Sequence, residues 1–374
     1  MTEHRNARID LMRGIAIFLV LLLHFHLSFK IENTFIGSMI PINLLHAIVV
    51  NGNYAVTMFF VLSGYLITDR SIQRYGKLSN ISLSSFYRLR FARIIPMLVL
   101  ALLLISILSL LGFEAFLNKQ NTVSMWLSNF SILTFWHNIL MQKYEYFNYA
   151  MNIYWSLSVE EMFYLLFPII CVVFRKKSML YLLATALIII CPIYRYLHSN
   201  NEIFFMYGCF GCFDAIAIGC LTAILKKNDF DKYFTSKAIQ ILALSTLCIT
   251  HLLGIYEHET LGFTSIAFMT AILILGSTKT TLSATSHHRF ISYGVRYMGK
   301  ISYELYLLHI IVLGIMRNYF LAPSLTVSTT NLLLVTFMCL SFIISTICHH
   351  YYSEPLNKKI RNIKYLAIIR AAHE

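Results

Sequence analysis

The sequence predicts an all-α, polytopic integral membrane protein with about ten transmembrane helices and both termini in the cytoplasm. Three observations carry that class. Of the 374 residues, 58% are hydrophobic and only 13% are charged, about half the charged share of an ordinary globular domain. Apolar runs recur that reach the roughly 20 residues a helix needs to cross a bilayer. The 30 basic residues fall strongly to one side once those runs are threaded through a membrane. The same composition excludes a soluble, disordered or fibrous chain, because 28 Phe and 23 Tyr bring far more apolar surface than water can solvate.

The spans follow in order at residues 10–29, 47–68, 94–112, 153–174, 179–195, 205–225, 237–255, 261–277, 301–321 and 330–352. The first follows a very short polar leader and lacks a small-residue cleavage site, so it reads as a retained helix rather than a cleavable signal. The third starts beside Arg90, Arg93 and Pro96, and the fourth carries the adjacent Glu160 and Glu161. None of the ten shows the alternation of apolar and polar positions that a membrane β-barrel requires. Residues 113–152 form the one large loop, where Trp126, Trp136, Tyr144 and Tyr146 suit a headgroup-level aromatic belt or a re-entrant helix, and could also cover an outer cavity. No internal repeat, linker or low-complexity tract divides the chain. A single integral domain is expected over 1–374, without room for an appended soluble domain.

A cytoplasmic N-terminus leaves only Lys30, Lys119, Lys143, Arg195 and Arg317 on the outer side, and so 25 of the 30 basic residues on the inner one. An even number of helices returns the C-terminus inside. The net charge of +13, which on a soluble chain would suggest nucleic acid, is therefore a sign of topology and lipid contact. The bilayer is the expected partner, and no nucleic acid is. The eight cysteines lie in or at the ends of spans as small packing groups, and Cys209 with Cys212 is too weak a pattern for redox or metal chemistry. His287-His288 and His349-His350 lack further ligands at useful spacing, so no metal is expected.

Ionisable side chains inside spans are costly and mark function. His24 lies eleven residues after Arg13, which on a helix returns to nearly the same face about 16 Å further along. One helix thus aligns a cation at the cytosolic edge with an intramembrane imidazole, whereas His26 points elsewhere. Glu160 and Glu161 point about 100° apart, so both cannot serve one partner. Glu160 reads either as the carboxylate that orients His24 as a base or as the partner of an arginine on a neighbouring helix. Asp214 has the same ambiguity. Arg90 and Arg93 share a helical face, where they either grip a polyphosphate or simply anchor topology. Ser63 and Gly64 suit close helix approach.

In order along the chain, these stretches resemble the acyltransferase-3 family of bacterial membrane O-acyltransferases. The carriers are Arg8-Ile9-Asp10-Leu11-Met12-Arg13-Gly14-Ile15-Ala16 with His24, the run from Phe59 through Ser63, Gly64 and Tyr65 to Thr68, and Phe86 to Pro96 with its arginine pair. Trp155 to Tyr164, Ile301 to His309 and Ser353-Glu354-Pro355-Leu356 complete the series. Two departures stand out. No basic residue precedes Asp214 where relatives often carry one, and the chain ends too soon for the periplasmic esterase-like domain that many relatives append, so a second transferase domain would come from another protein.

The resemblance implies transfer of an acyl group, most often acetyl, from cytosolic acetyl-CoA to a hydroxyl of an extracytoplasmic glycan at the bacterial inner membrane. The acceptor would be a surface polysaccharide or its lipid-linked precursor, such as an O-antigen or exopolysaccharide. Arg13, Arg90 and Arg93 would hold the anionic donor, His24 would act as base or transient acyl carrier, and Glu160 would orient it. Asp10, Ser63, Gly64, Tyr65 and Trp155 are the accompanying motif positions. The same class of enzyme acting on peptidoglycan, an antibiotic or a lipid, or transferring succinyl, fits equally. From another class, a proton-coupled secondary transporter also uses buried His, Glu and Asp, although no two-fold hydropathy repeat supports it.

Overall fold

A computed structural model describes residues 6–120, 122–227, 231–277, 288–320 and 325–371, so His287 of the first histidine pair lies outside the described residues. Among the described residues there is no strand, and every expected span is helical. In lipid only a helix satisfies its backbone polar groups within one segment. The principal helices are α1 (Ala7–Phe29), α2 (Tyr54–Tyr75), α3 (Leu83–Leu110), α4 (Trp155–Val173), α5 (Lys177–Leu197), α6 (Cys209–Lys227), α7 (Lys237–Leu253), α8 (Glu259–Gly276), α9 (Ser302–Tyr319) and α10 (Val327–Cys348). α10 continues through a wide turn at His349–Ser353 into a last helix, Glu354–Ala371. Among the described residues, eight helices are long and apolar enough to cross a membrane, and a ninth span is formed if Ser292–Lys300 and α9, which meet at 85°, count as one. α7 has 17 residues, the lower limit for a span.

Local signals set the helix starts. Asn6 accepts from the backbone N–H of Arg8 and Ile9 at the head of α1, and Ser82 and Thr326 cap α3 and α10 in the same way. Each satisfies N–H groups that have no partner within their own helix.

α6 is the central post, buried at every residue from Gly211 to Cys220, whereas α5 buries only Ala184, Cys191, Pro192 and Arg195. The outward faces of the peripheral helices carry exposed Leu182, Ile189 and Ile193 on α5 and Ile241, Leu242 and Leu253 on α7, as lipid contact requires. Against α6 lies α2, and here glycine is obligatory. A Cβ on Gly64 would collide with the carbonyl of Ile216, and one on Gly219 with the backbone of Val61 and Tyr65. The two glycines let the backbones touch, which is how membrane helices gain dispersion energy without a hydrophobic drive. Gly64 thus serves packing.

The described residues of the segment 113–152 form a cap containing two short helices, Met125–Leu133 and His137–Tyr144. The Trp126 ring, 71% exposed, stacks on Phe130, and Trp136 packs edge-on against that same ring. The Tyr146 hydroxyl donates to that of Tyr207 at 2.8 Å. Buried His137 bonds Ser131 through Nδ1 at 2.8 Å, and its backbone N–H donates to Ser158 of α4. These bonds hold the cap on the bundle. Asn6 and Arg361 line one cavity, so the start of α1 and the last helix lie at the same end of the molecule.

Candidate active site

Two cavities lie one above the other along the bundle. The larger, about 520 Å³, opens at the end that carries Asn6 and is walled by Arg13, Arg70, Arg74, Arg90, Arg93 and Arg361 together with Asp10, Asp69, Glu160 and Glu161. The smaller, about 130 Å³, lies toward the opposite end and is lined by His24, Asn53, Trp155, Tyr207, Asp214 and their neighbours. Val56, Phe60 and Tyr306 belong to both walls. They form a thin partition between an arginine-rich chamber and a largely apolar one. Arg13 and His24, aligned on α1 by the helical repeat, open to opposite sides of it.

His24 is set by its own helix and by α9. Its Nδ1 lies 2.9 Å from the carbonyl of Val20 and 3.2 Å from Nε2 of His309. His309 Nδ1 is in turn 3.0 Å from the carbonyl of Leu305. The network has one consistent proton assignment. His309 donates from Nδ1 to Leu305, so its Nε2 accepts. His24 Nδ1–H is then shared between Val20 and His309, and Nε2 of His24 carries the lone pair. An imidazole of defined tautomer results, held by the Val20 carbonyl and a second histidine.

Glu160 does not sit beside His24. Its Oε1 accepts from Ser63 and from the Tyr164 hydroxyl, the latter at 2.9 Å, and lies 3.6 Å from Nη2 of Arg90. Of the two readings open for Glu160, the arginine partner is the one the geometry realises, and His309 takes the place beside His24. The reason is packing: α4 presents Glu160 toward α2 and α3 on the basic side of the partition. Arg90 also meets Glu161 at 3.3 Å and covers the Tyr164 ring at 3.7 Å. Two carboxylates therefore already face Arg90, which alters the picture of Arg90 and Arg93 as an equal pair of anion grips. Arg13 donates to the Ser302 hydroxyl at 2.8 Å, and Arg93 lines the same chamber one turn beyond Arg90. Tyr65 borders this chamber too and accepts from Lys226 at 2.7 Å.

Asp214 has a partner after all. Arg195, from α5, binds it in a fork, Nη1 to Oδ1 at 3.1 Å and Nη2 to Oδ2 at 2.8 Å. Further bonds run to the carbonyls of Gly211 and Thr260 and to Thr264, and both side chains are fully buried. Arg195 is therefore not one of the outer loop charges but a core group on the wall of α6. Sequence position could not distinguish a basic residue at a span end that leaves the membrane from one that turns inward. His309 was likewise passed over, though it carries the signal that singled out His24, an imidazole within an apolar run. Glu304 accepts from Ser353 at 2.7 Å and meets His349 at 3.0 Å, tying the 301–309 stretch to the closing Ser353-Glu354-Pro355 turn. His350 pairs with Tyr297. Trp155 packs on Tyr207 at 4.6 Å between ring centres.

Fold and site together define a multi-pass helical membrane protein with an arginine-rich chamber and, beyond a partition, a largely apolar one that contains the His24 imidazole. The sequence profile described as "Acyltransferase domain", that of the acyltransferase-3 family, matches residues 6–350, and the chain belongs to that family. It is similar to the O-acetyltransferase OatA of Staphylococcus aureus strain NCTC 8325 / PS 47, with 26% identity over 337 residues, 82% of this chain and 53% of the relative. The OatA proteins of strains COL and MRSA252 match to the same extent. The chain thus spans about half the length of these curated relatives. No solved structure matches it.

Proposed function

We propose that the protein is an O-acyltransferase of the bacterial inner membrane that passes an acetyl group from acetyl-CoA to a hydroxyl of a cell-surface polysaccharide or its lipid-linked precursor. The observation that carries this reading is the pair of chambers meeting at Val56, Phe60 and Tyr306, with an imidazole lone pair on the far side. A chamber of about 520 Å³ falls within the usual range for small-molecule sites, and its arginines suit the phosphates of coenzyme A. Membership of an acyltransferase family selects an enzyme over a carrier, and the name of the OatA relatives supports acetyl as the group transferred.

In the proposed reaction the thioester threads past the partition toward His24. The acceptor hydroxyl loses its proton to His24 Nε2 as its oxygen attacks the thioester carbonyl. The C–S bond breaks, and the imidazolium returns the proton to the coenzyme A thiolate. If His24 Nε2 attacks first, an acyl-imidazole carries the group instead. In either course the Val20 carbonyl and His309 together fix the tautomer. A separate periplasmic transferase would finish delivery where the acceptor lies far from the membrane.

Mass spectrometry of surface glycans from cells with the wild-type gene, without it, and with His24→Ala tests the proposal. The wild type adds one acetyl mass per modified sugar, and His24→Ala, inserted normally in the membrane, adds none. Normal acetylation by that variant refutes the role of His24, and identical glycans with and without the gene refute the acceptor class.

A further inference from the structure

Outside the two chambers, three lone-pair atoms converge at the end of α1 remote from Arg13. His26 comes from the last turn of α1, Glu32 from the turn Ile31–Asn33, and His46 from the short helix Ile42–Val50. His26 Nδ1 lies 3.2 Å from Glu32 Oε2, His46 Nε2 lies 4.0 Å from the same oxygen, and all three atoms fall within 4.8 Å of one another. Their environment does not satisfy them. Glu32 Oε2 and His46 Nε2 are shielded from solvent yet have no aligned hydrogen-bond partner. The backbone N–H of Ile31 lies 3.4 Å from His26 Nδ1, a long contact that a ligand on this nitrogen would displace. An oxygen and two nitrogens facing one point repel unless a proton or a cation joins them, and one cation can join all three.

We infer that His26, Glu32 and His46 form a binding site for a divalent cation of the zinc type, at the outer end of the helix that carries His24. Two imidazoles and one carboxylate are a donor set that zinc accepts, and tetrahedral bonds of about 2.0–2.2 Å place ligand atoms roughly 3.4 Å apart. The observed separations need only a small closure of His46, whose side chain is 45% exposed. Three protein ligands leave the fourth position to water. The cation clips the outer end of α1 to the Ile42–Val50 helix and closes the intervening turn. His26 lines neither chamber, so the site is independent of the proposed transfer reaction.

The test uses the full chain purified in detergent without a polyhistidine tag, stripped with chelator and then titrated with Zn²⁺ by calorimetry. Metal retained after desalting is counted by mass spectrometry. Wild type should hold one zinc per chain, and Co²⁺ in its place should give the visible absorption of a four-coordinate site. Glu32→Gln and His46→Ala, both at positions partly open to solvent, should elute as monodisperse protein and bind zinc at least about tenfold more weakly. Zinc should also raise the melting temperature of wild type and leave both variants unmoved. Less than one bound zinc in wild type, or equal retention by the variants, overturns the inference and leaves a plain imidazolium–carboxylate pair.

Discussion

Replacing Arg195 by Met tests how the central post of the bundle is held. The guanidinium makes five hydrogen bonds, two to Asp214, two to the carbonyls of Gly211 and Thr260, and one to Thr264. Its side chain is 0% exposed and that of Asp214 1%, so water cannot replace the lost partner. Methionine keeps much of the volume but strands a buried carboxylate, a defect that costs about 3–5 kcal/mol. Asp214→Leu strands the guanidinium at a similar cost. The double variant removes both charges and leaves only neutral groups short of a donor, about 1–3 kcal/mol each at most. Its loss should therefore fall well below the summed losses of the two single variants, with a coupling of at least about 2 kcal/mol. Reversible unfolding in mixed detergent micelles measures all four proteins. Additive losses, or single variants within about 0.5 kcal/mol of wild type, would show that the fork does not hold α5 to α6.

Other expectations follow from the site and the cap. Arg90→Gln should lower stability by about 3 kcal/mol or more, because Glu160 and Glu161 lose the cation between them, whereas Arg93→Gln should weaken acetyl-CoA binding in calorimetry with a smaller loss of stability. Equal effects on both measurements in both variants would return the pair to a single role. His309→Leu removes one of the two acceptors that share His24 Nδ1–H and should slow acetyl transfer at least about tenfold without changing acetyl-CoA affinity. An unchanged rate would show that Val20 alone sets the ring. In the cap, burial holds His137 down at about 3. Between that value and the ordinary 6.5 a released cap binds a proton that the docked cap does not, so docking weakens as pH falls. From pH 7 to 5 the loss is at most about 2 kcal/mol. Hydrogen exchange across 113–152 at the two pH values should show it, and His137→Gln should abolish the difference.

Much of this protein was legible from local pattern. Helix number and class come from runs of apolar residues, because a bilayer demands length and internal hydrogen bonding from each span separately. Arg13 and His24 could be aligned in advance, since eleven helical steps are a local property of α1. The stretches around Arg90, Trp155, Ser302 and Ser353 pointed to the family without reference to any contact. Pairing across helices was another matter. Glu160 had two open readings, and only the packing of α4 against α2 and α3 gave it to Arg90 rather than His24. Asp214 had no visible partner because Arg195 reaches it from α5. His26, Glu32 and His46 follow no compact ligand spacing, and they meet only because two turns fold back over the end of α1. A charge inside a membrane must find a counterpart, and the sequence by itself determined that such groups were present and on which helices. The tertiary structure decided which of them face one another, because that depends on the rotation and crossing of each helix, set by close contacts such as Gly64 and Gly219, which no single segment encodes.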